Sequence, residues 1–429
     1  MISSGSYLSH ASPDAARMHA ALVGAGGDGS LIDRALHAVR AHLGLQVAYV
    51  SEFVHNEAVF RHVDAPGLEH LAKPGDAHSL DDIYCRHILD GRLPQLIPDT
   101  AKEPIAAALP VTAATPIGAH VSVPLRMADG AVYGMFCCLG PVADPTLNDR
   151  DLNMMRAFAE IAAFEIDRER SAGAARRDKV ARIRDAIDGG QLEIAYQPIW
   201  SLTDSHPIGV ESLARFTIEP RRTPDLWFAE ASDVGLGEEL ELVAIDHALA
   251  ALARLPDQAY VAVNASPSTA LSGALPDILQ AHPLHRVVLE ITEHGAVEDF
   301  DRLAAAIEPL RARGLRLAVD DAGAGYSGLQ QILQMRPDLI KLDRSLIHGI
   351  GDDPGRRALA AALTMFARET GSRIIAEGVE TEAELAMLRA LGVDTVQGYL
   401  LGWPQAIDHV AELFAVPARA ADDRRDRAA

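Results

Sequence analysis

Eight short apolar runs recur through the second half of the chain, and helical patterns separate most of them. The runs span residues 194–200, 207–216, 260–264, 286–291, 315–320, 339–342, 373–376 and 395–399. The helical patterns include residues 236–255, 297–313, 355–370 and 382–391. Strands that alternate with helices indicate a parallel α/β arrangement, and eight of them in about 225 residues predict a (β/α)₈ barrel of the TIM type.

Polar side chains lie at or just after the apolar stretch of most of these runs. They are Asn264, Glu290, Asp320 with Asp321, Lys341, Glu377 and Gln397. The carboxyl ends of the strands meet at one mouth of such a barrel, where the chemistry is carried. Glu211 and Arg215 share one face of the second run because their spacing is even. Several carboxylates at one mouth demand cations, and hard divalent metals prefer oxygen ligands.

The first part of the chain combines helical and strand patterns in a different order. Ser30 is typical of a helix N-cap, and a short helix is expected near residues 82–89. Strand patterns cover residues 46–54, 57–63, 120–127 and 131–139, and Asp129-Gly130 is a strong hairpin signal. A helix begins at Asp149 and continues, with a soft spot at residues 171–174, through residues 176–187. This order predicts an α+β sensor-type domain.

These patterns divide the chain into five segments. We expect a flexible leader over residues 1–27, the α+β domain over 28–168, a helical linker over 169–190, the barrel over 191–415 and a disordered tail over 416–429. A charged helical linker can transmit rotation or dimer packing between domains. An exposed helix with solvated charges explains the same pattern equally well.

Composition excludes several classes of partner and site. The net charge of −21 argues against a nucleic-acid polymer or an anionic membrane, because both would be repelled. A small phosphorylated ligand is compatible with this net charge, since bound metal ions can reverse the local electrostatic field. The three cysteines form neither a disulfide framework nor a CxxC zinc pattern. With no membrane-spanning run and no signal-peptide pattern, a cytoplasmic location is expected.

Residues 192–405 resemble an EAL domain, the barrel family that hydrolyses cyclic di-GMP. The stretches that carry the resemblance are YQPIW, GVESLARF, VAVNAS, LEITE, VDDAGAGYSGL, DLIKLDR, IIAEGVE and VQGYLLGWP, in family order. The resemblance implies hydrolysis of cyclic di-GMP to 5′-pGpG with two Mg²⁺ or Mn²⁺ ions per site. A homodimer is expected as well. No GG[DE]EF-like stretch precedes the barrel, so no diguanylate cyclase is expected.

The resemblance also assigns roles to single residues. Glu211, Asn264, Glu290 and Asp320 would bind metal, and Asp321 would hold the second metal beside the substrate. Glu377 would be the general base, Lys341 would lie beside the attacking water, and Gln397 would support the metal-bound water or its neighbours. Arg215 would pair with a phosphate, Gln197 would help to hold the ligand, and Glu293 would steady the loop after Asp321.

Residues 30–168 resemble a GAF domain, through YCRHILDGRLPQLIPDT and VSVPLRMADGAVYGMFCCLG. The resemblance implies a small-molecule pocket between sheet and helices, but the ligand varies within the family and stays unknown here. Cys85, near His87, could attach a linear tetrapyrrole or sense redox state. A small buried apolar side chain is the simpler interpretation of Cys85.

The loop after the aspartate pair departs from the family pattern. Ala322 and Ala324 stand where the family usually has Phe and Thr, and Gly328 stands where Ser is common. The loss of a ring and a hydroxyl predicts activity that is weaker or more dependent on dimer state or on the sensor. The alternative is a catalytically weak or inactive receptor that binds cyclic di-GMP or a protein partner. A sugar-processing barrel would need an acid pair without the Asn264 and Lys341 set.

Overall fold

The computed structural model describes residues 29–291, 300–322 and 332–415, and the chain separates into two units, Met1–Ala175 and Arg176–Ala429. The expected leader and tail lie outside the described residues. Strands of the first unit are β1 (Val47–Val54), β2 (Glu57–Asp64), β3 (Ala77–Ser79), β4 (Leu96–Ile97), β5 (Ala119–Arg126) and β6 (Val132–Gly140). Its helices are α1 (Leu31–Leu43), α2 (Tyr84–Leu89), α3 (Pro104–Ala108) and α4 (Pro110–Ala114), with a 3₁₀ turn at Thr100–Lys102. Helix α5 (Asp149–Asp188) follows.

Local sequence signals set the ends of these elements. The Ser30 hydroxyl accepts a hydrogen bond from the Asp33 amide while the Asp33 carboxylate accepts one from the Ser30 amide, which is a capping box that starts α1. Helix α1 ends at Gly44, whose φ of 63° suits a left-handed C-cap. Residues 171–174 lie inside α5, so the soft spot is not a break. A single glycine costs a helix only about 1 kcal/mol.

The first unit is a six-stranded antiparallel sheet covered on both faces. The strand order is β3-β2-β1-β6-β5-β4. One face packs against α1 and the first half of α5, and the other packs against α2 and the segments around it. Cys138 belongs to the first core and Cys137 to the second, so adjacent residues of β6 face opposite ways. Cys85 is fully buried in the second core. The α+β prediction is confirmed.

The second unit is a closed eight-stranded barrel, which confirms the predicted barrel. Its strands are β7 (Leu192–Ser201), β8 (His206–Phe216), β9 (Tyr260–Ala265), β10 (Val287–Ile291), β11 (Arg316–Ala322), β12 (Leu339–Leu342), β13 (Arg373–Ala376) and β14 (Thr395–Val396). Its helices are α6 (Pro224–Val234), α7 (Gly237–Leu249), α8 (Pro267–Ser272), α9 (Leu275–Leu279), α10 (Phe300–Arg311), α11 (Arg344–Ile347), α12 (Pro354–Thr370), α13 (Glu382–Ala390) and α14 (Ile407–Phe414), with 3₁₀ turns at Ala250–Ala253 and Leu284–Arg286. Outward-facing strand residues, such as Val263 and Leu289, pack against these helices.

The expectation of a fully parallel barrel is wrong for its first strand. Strand β7 runs antiparallel to both of its neighbours, β8 and β14. Only residues 202–205 connect β7 to β8, and Ser205 adopts a positive φ of 51° in that turn. A parallel crossover needs about a dozen residues, whereas an antiparallel hairpin needs only a short turn. The short connection therefore dictates a hairpin.

No helix among the described residues is both long enough and apolar enough to cross a membrane.

Candidate active site

The barrel interior is built in layers, because alternate residues of each strand face inward. One layer is apolar and consists of Ile199, Ala262, Val288, Ala318, Leu339 and Ile375, and Tyr260 lies farther from the mouth, two residues before Ala262 on β9. Gly209 leaves room for Tyr260, since a Cβ on Gly209 would lie 2.6 Å from the tyrosine ring. The inward position two residues closer to the barrel mouth is polar on six of these strands. These polar residues are Gln197, Asn264, Glu290, Asp320, Lys341 and Glu377.

The Lys341 ammonium lies at the centre of four carboxylates. Its Nζ is 2.7 Å from Glu290 Oε2, 2.7 Å from Glu377 Oε1, 3.2 Å from Glu211 Oε1 and 3.3 Å from Asp320 Oδ1. The Lys341 side chain is 1% exposed, so water does not screen these charges. Five predicted site residues from strands β8, β10, β11 and β12 and the end of β13 therefore meet at one atom.

Burial and mutual repulsion set the protonation of this cluster. Burial raises the pKa of Glu377 to about 8, and Glu211 and Asp320 add to the rise while Lys341 opposes it. Burial also raises the pKa of Glu290 well above its ordinary value, against the attraction of Lys341. Burial favours protonated Glu211 too, but the Lys341 charge and the hydrogen bonds from Gln397 and Lys341 outweigh it, so the Glu211 pKa is lowered. Because one ammonium cannot balance four carboxylates, some of them retain protons.

The pKa of Lys341 is shifted in the direction that keeps its charge. Burial alone would favour the neutral amine, but Glu211, Glu290, Glu377 and Asp320 together raise the pKa well above its ordinary value. The lysine is therefore a permanent counter-ion of the cluster.

A chain of side-chain amides continues the site from Glu211 to the barrel rim. Gln397 Nε2 donates to Glu211 Oε2 at 2.5 Å and to Gln197 Oε1 at 2.9 Å. Gln197 Nε2 in turn donates to the carbonyl oxygen of Gly402 at 3.0 Å. The two glutamines thus hold the Glu211 carboxylate in place. The sequence motifs contain Gly402 but do not reveal that its backbone takes part.

The other predicted site residues have fewer described contacts, and some of them lie outside the described residues. Asn264 is the register partner of Glu290 on the neighbouring strand, which puts it at the same height in the barrel. Arg215 is exposed, four residues beyond Glu211 on β8, and its guanidinium donates to the carbonyl oxygen of Ala214. Asp321 lies in β11, but its side chain is outside the described residues, as is all of Glu293. Ala324 and Gly328 of the altered loop also fall outside.

The donor set suits a hard divalent cation. All of the acidic groups supply oxygen, the ligand that Mg²⁺ and Mn²⁺ prefer. Glu290 Oε1 and Gln397 Oε1 are buried and have no hydrogen-bond partner among the described residues, so oxygen atoms are available for a cation. As placed in the structure, no group of three or more His, Cys, Asp or Glu side chains among those residues could hold a metal ion. One oxygen of each of the four acidic groups instead contacts the Lys341 ammonium, so a metal ion would compete with that charge for them.

The first unit contains a separate cavity of about 180 Å³. Tyr49, Phe60 and His78 line it together: the rings of Tyr49 and Phe60 are stacked with centroids 4.1 Å apart, and the ring of His78 is tilted against Phe60 with centroids 5.1 Å apart. Tyr84 and Ala72 also line it. None of the described lining residues is an Asp, Glu, Lys or Arg. The described lining is therefore mainly apolar and aromatic, and it offers an ionic ligand no carboxylate, ammonium or guanidinium group.

Two family models and several known proteins match this chain. The EAL domain model matches residues 180–404, and the GAF domain model matches residues 29–167. The bifunctional diguanylate cyclase/cyclic di-GMP phosphodiesterase MucR of Pseudomonas aeruginosa is 31% identical over 241 residues, which are 53% of this chain and 35% of that protein. The probable cyclic di-GMP phosphodiesterase PdeD of Escherichia coli is 30% identical over 230 residues, 51% of this chain and 42% of that protein. The chain thus spans less than half the length of these curated relatives.

A solved structure agrees with the family matches. It is described as the PaMucR phosphodiesterase in complex with c-di-GMP, and it has a TM-score of 0.50 and 29% sequence identity over 54% of this chain and 99% of that one. Both resemblances seen in the sequence are confirmed. Because the EAL model covers more than half of the 429 residues, the chain belongs to the EAL-domain family and carries a GAF domain in its first unit.

Proposed function

We propose that this chain hydrolyses cyclic di-GMP to linear 5′-pGpG with the help of divalent cations, under control of its GAF domain. The observation that carries the proposal is the layer of four carboxylates around Lys341 at the barrel mouth. The names of the related proteins support the choice of substrate. A homodimer and a cytoplasmic location stay predictions.

Each residue of the candidate site would have a distinct role in the reaction. Glu211, Asn264, Glu290 and Asp320 would hold Mg²⁺ or Mn²⁺, with Asp321 toward a second ion. Such ions make a water molecule more acidic and stabilise negative charge on phosphoryl oxygens. Glu377 would accept the proton of the attacking water, whose oxygen forms the new bond to phosphorus. The bond from phosphorus to the 3′ oxygen breaks, and that oxygen takes up a proton as it leaves.

Charged and amide side chains would position the substrate. The Lys341 ammonium lies 2.7 Å from Glu377 Oε1, so it can stabilise both the carboxylate and the charge that develops on the phosphate. Arg215, exposed on the same face of β8 as Glu211, would pair with a phosphate. Gln397 and Gln197 would keep the Glu211 carboxylate oriented through the transition state.

A receptor that binds cyclic di-GMP without hydrolysis is the second candidate. The observation that favours it is the contact of the carboxylates with the Lys341 ammonium, because an ammonium at that point competes with a metal ion for the carboxylate oxygens. In a receptor, the lysine would replace the ions permanently and the phosphates would bind without reaction.

Incubation of the purified chain with cyclic di-GMP separates the two candidates. We expect linear 5′-pGpG in the presence of Mn²⁺, and none after EDTA treatment, when nucleotides are resolved by chromatography. Glu290→Gln, which removes a buried carboxylate from the cluster, should lose most of this product. Tight binding measured by calorimetry, with no linear product at any Mn²⁺ concentration, would instead establish the receptor.

The cavity of the first unit suits a neutral aromatic ligand, and we expect indole to act as a probe for it. Indole should raise the unfolding midpoint of the chain, because a ligand that binds only the folded state stabilises it. Ala72→Phe, which fills the cavity, should remove at least half of that shift. Ala41→Phe, at an exposed position of α1, is the matched control and should keep the shift. Stronger stabilisation by cyclic AMP or cyclic GMP than by indole would contradict a neutral ligand.

A further inference from the structure

Two aromatic side chains lie stacked and exposed on the segment that follows β14. The rings of Tyr399 and Trp403 have centroids 3.8 Å apart and planes 8° from parallel. Tyr399 is 42% exposed and Trp403 is 59% exposed. Because Tyr399 covers one face of the indole, much of the exposed surface of Trp403 must lie on its other side. Two adjoining aromatic side chains that are open to water offer a flat surface on which a planar ligand can stack.

The stacked pair lies next to the carboxylate layer. Trp403 directly follows Gly402, whose carbonyl oxygen accepts the hydrogen bond from Gln197. Gln197 is bonded to Gln397, and Gln397 to Glu211. The segment also starts at the carboxyl end of β14, the end at which the acidic side chains of the parallel strands gather. Trp403 is thus connected to the Glu211 carboxylate through the Gly402 peptide unit and the side chains of Gln197 and Gln397.

Backbone contacts fix the position of this segment. Gln405 and Tyr196 of β7 exchange two backbone hydrogen bonds, at 2.7 and 3.0 Å. Gly402 lies so close to β7 that a Cβ there would be 2.5 Å from Pro198 Cγ. Trp403 is held between these two anchor points, so its backbone is ordered before any ligand binds. A preorganised aromatic surface loses little entropy when a flat ligand stacks on it.

We propose that the pair of Tyr399 and Trp403 is a stacking platform for one guanine base of the dinucleotide substrate. This inference rests on the proposed function, and it names residues that determine where the base lies. An indole offers a purine a flat apolar partner of similar size, and stacking on an aromatic side chain tolerates any base. A base bound there places the adjoining phosphate toward the polar layer. The competing occupant is an apolar surface of a second copy of the chain.

Substitutions at Trp403 distinguish stacking from general apolar contact. Trp403→Ala and Trp403→Leu should raise KM for cyclic di-GMP by on the order of 10-fold, since a stacked base contributes about that factor, while kcat stays within about 3-fold. Trp403→Phe keeps a flat ring and should retain KM within about 3-fold of the unsubstituted chain. The side chain is exposed, so all three variants should unfold at the midpoint of the unsubstituted chain.

Tryptophan fluorescence gives a readout that does not depend on turnover. The chain has three tryptophans, of which Trp227 is fully buried and Trp200 is partly buried, so acrylamide should quench mainly Trp403. Cyclic di-GMP, added with EDTA present or to the Glu377→Gln variant if EDTA prevents binding, should protect Trp403 from acrylamide. The protected signal should disappear in Trp403→Phe.

The outcomes separate this inference from the proposed function. Binding by calorimetry with unchanged acrylamide quenching, or an unchanged KM in Trp403→Ala, would overturn the stacking platform and leave the hydrolase standing. Protection of Trp403 without any linear product would support the platform and overturn hydrolysis. A Trp403→Leu variant with normal KM, together with a Trp403→Ala variant that loses a dimer in sedimentation, would assign the surface to a second copy instead.

Discussion

Lys341→Met is expected to lower kcat on cyclic di-GMP by on the order of 10²–10³-fold and to lower the free energy of unfolding by about 3–5 kcal/mol. Methionine has nearly the length and volume of lysine, so the substitution removes the charge and leaves the packing. Of the four acidic groups that contact Lys341 Nζ, those that are ionised would then lie buried without a counter-ion. An uncompensated buried charge costs far more than an ion pair contributes.

The response of this variant to divalent cations tests the same geometry. Since the carboxylates close on the ammonium in the structure, removal of the ammonium should make them a better cation site. Mn²⁺ should therefore raise the unfolding midpoint of Lys341→Met by several degrees more than it raises that of the unsubstituted chain, as measured by calorimetry. The activity should stay low, because the ion cannot replace the charge beside the phosphate.

Lys179→Met is the matched control for this substitution. Lys179 is partly exposed and pairs with Asp233, itself largely exposed, at 3.2 Å. Exposed ion pairs contribute about 0–1 kcal/mol, so stability and kcat should both stay close to those of the unsubstituted chain. If Lys341→Met proved as stable as Lys179→Met in the absence of metal, the carboxylates would not depend on the ammonium as the structure implies.

The sequence predicts the barrel well because its strands are buried on both sides. Strands such as β9 and β10, residues 260–265 and 287–291, are apolar at inward and outward positions alike, and only the last inward residue of each, Asn264 or Glu290, is polar. The direction of a strand is harder to predict, because a parallel strand and an antiparallel strand can have the same apolar sequence pattern. The antiparallel course of β7 follows only from the short connection at residues 202–205.

The candidate site was predicted residue by residue, but its contacts were not. Strand ends indicate that Glu290, Asp320 and Lys341 approach one mouth, whereas the pairing register decides which side chain is central. Lys341 is central because Glu211, on the far side of the barrel, extends toward the same point. No polar pattern in the sequence indicates that the Gly402 carbonyl oxygen and the Trp403 ring lie near the site. The bridge between Tyr196 and Gln405, together with the contacts of Gly402 to Gln197 and Pro198, brings them beside the site.

Glu377→Gln is expected to lower kcat by on the order of 10²–10⁴-fold with little change in KM, the effect of losing a general base. Burial raises the pKa of Glu377 to about 8, so without metal the carboxyl is mostly protonated at neutral pH. Glutamine closely resembles that protonated form, and its carbonyl oxygen can still accept a hydrogen bond from Lys341. The unfolding midpoint of the metal-free variant should therefore match that of the unsubstituted chain within about 2 °C.

Glu382→Gln provides the comparison, because Glu382 is exposed in the first turn of α13, five residues along the chain. Its kcat should be unchanged, and its stability should fall by no more than about 1 kcal/mol through a weaker interaction with the helix dipole. Steady-state kinetics at saturating Mn²⁺ gives kcat and KM separately for both variants. A large rise in KM at constant kcat would show that Glu377 holds the ligand and that another group takes the proton. A kcat for Glu377→Gln within 10-fold of that for Glu382→Gln would rule out Glu377 as the general base, because the attacking water would then lose its proton without the Glu377 carboxylate.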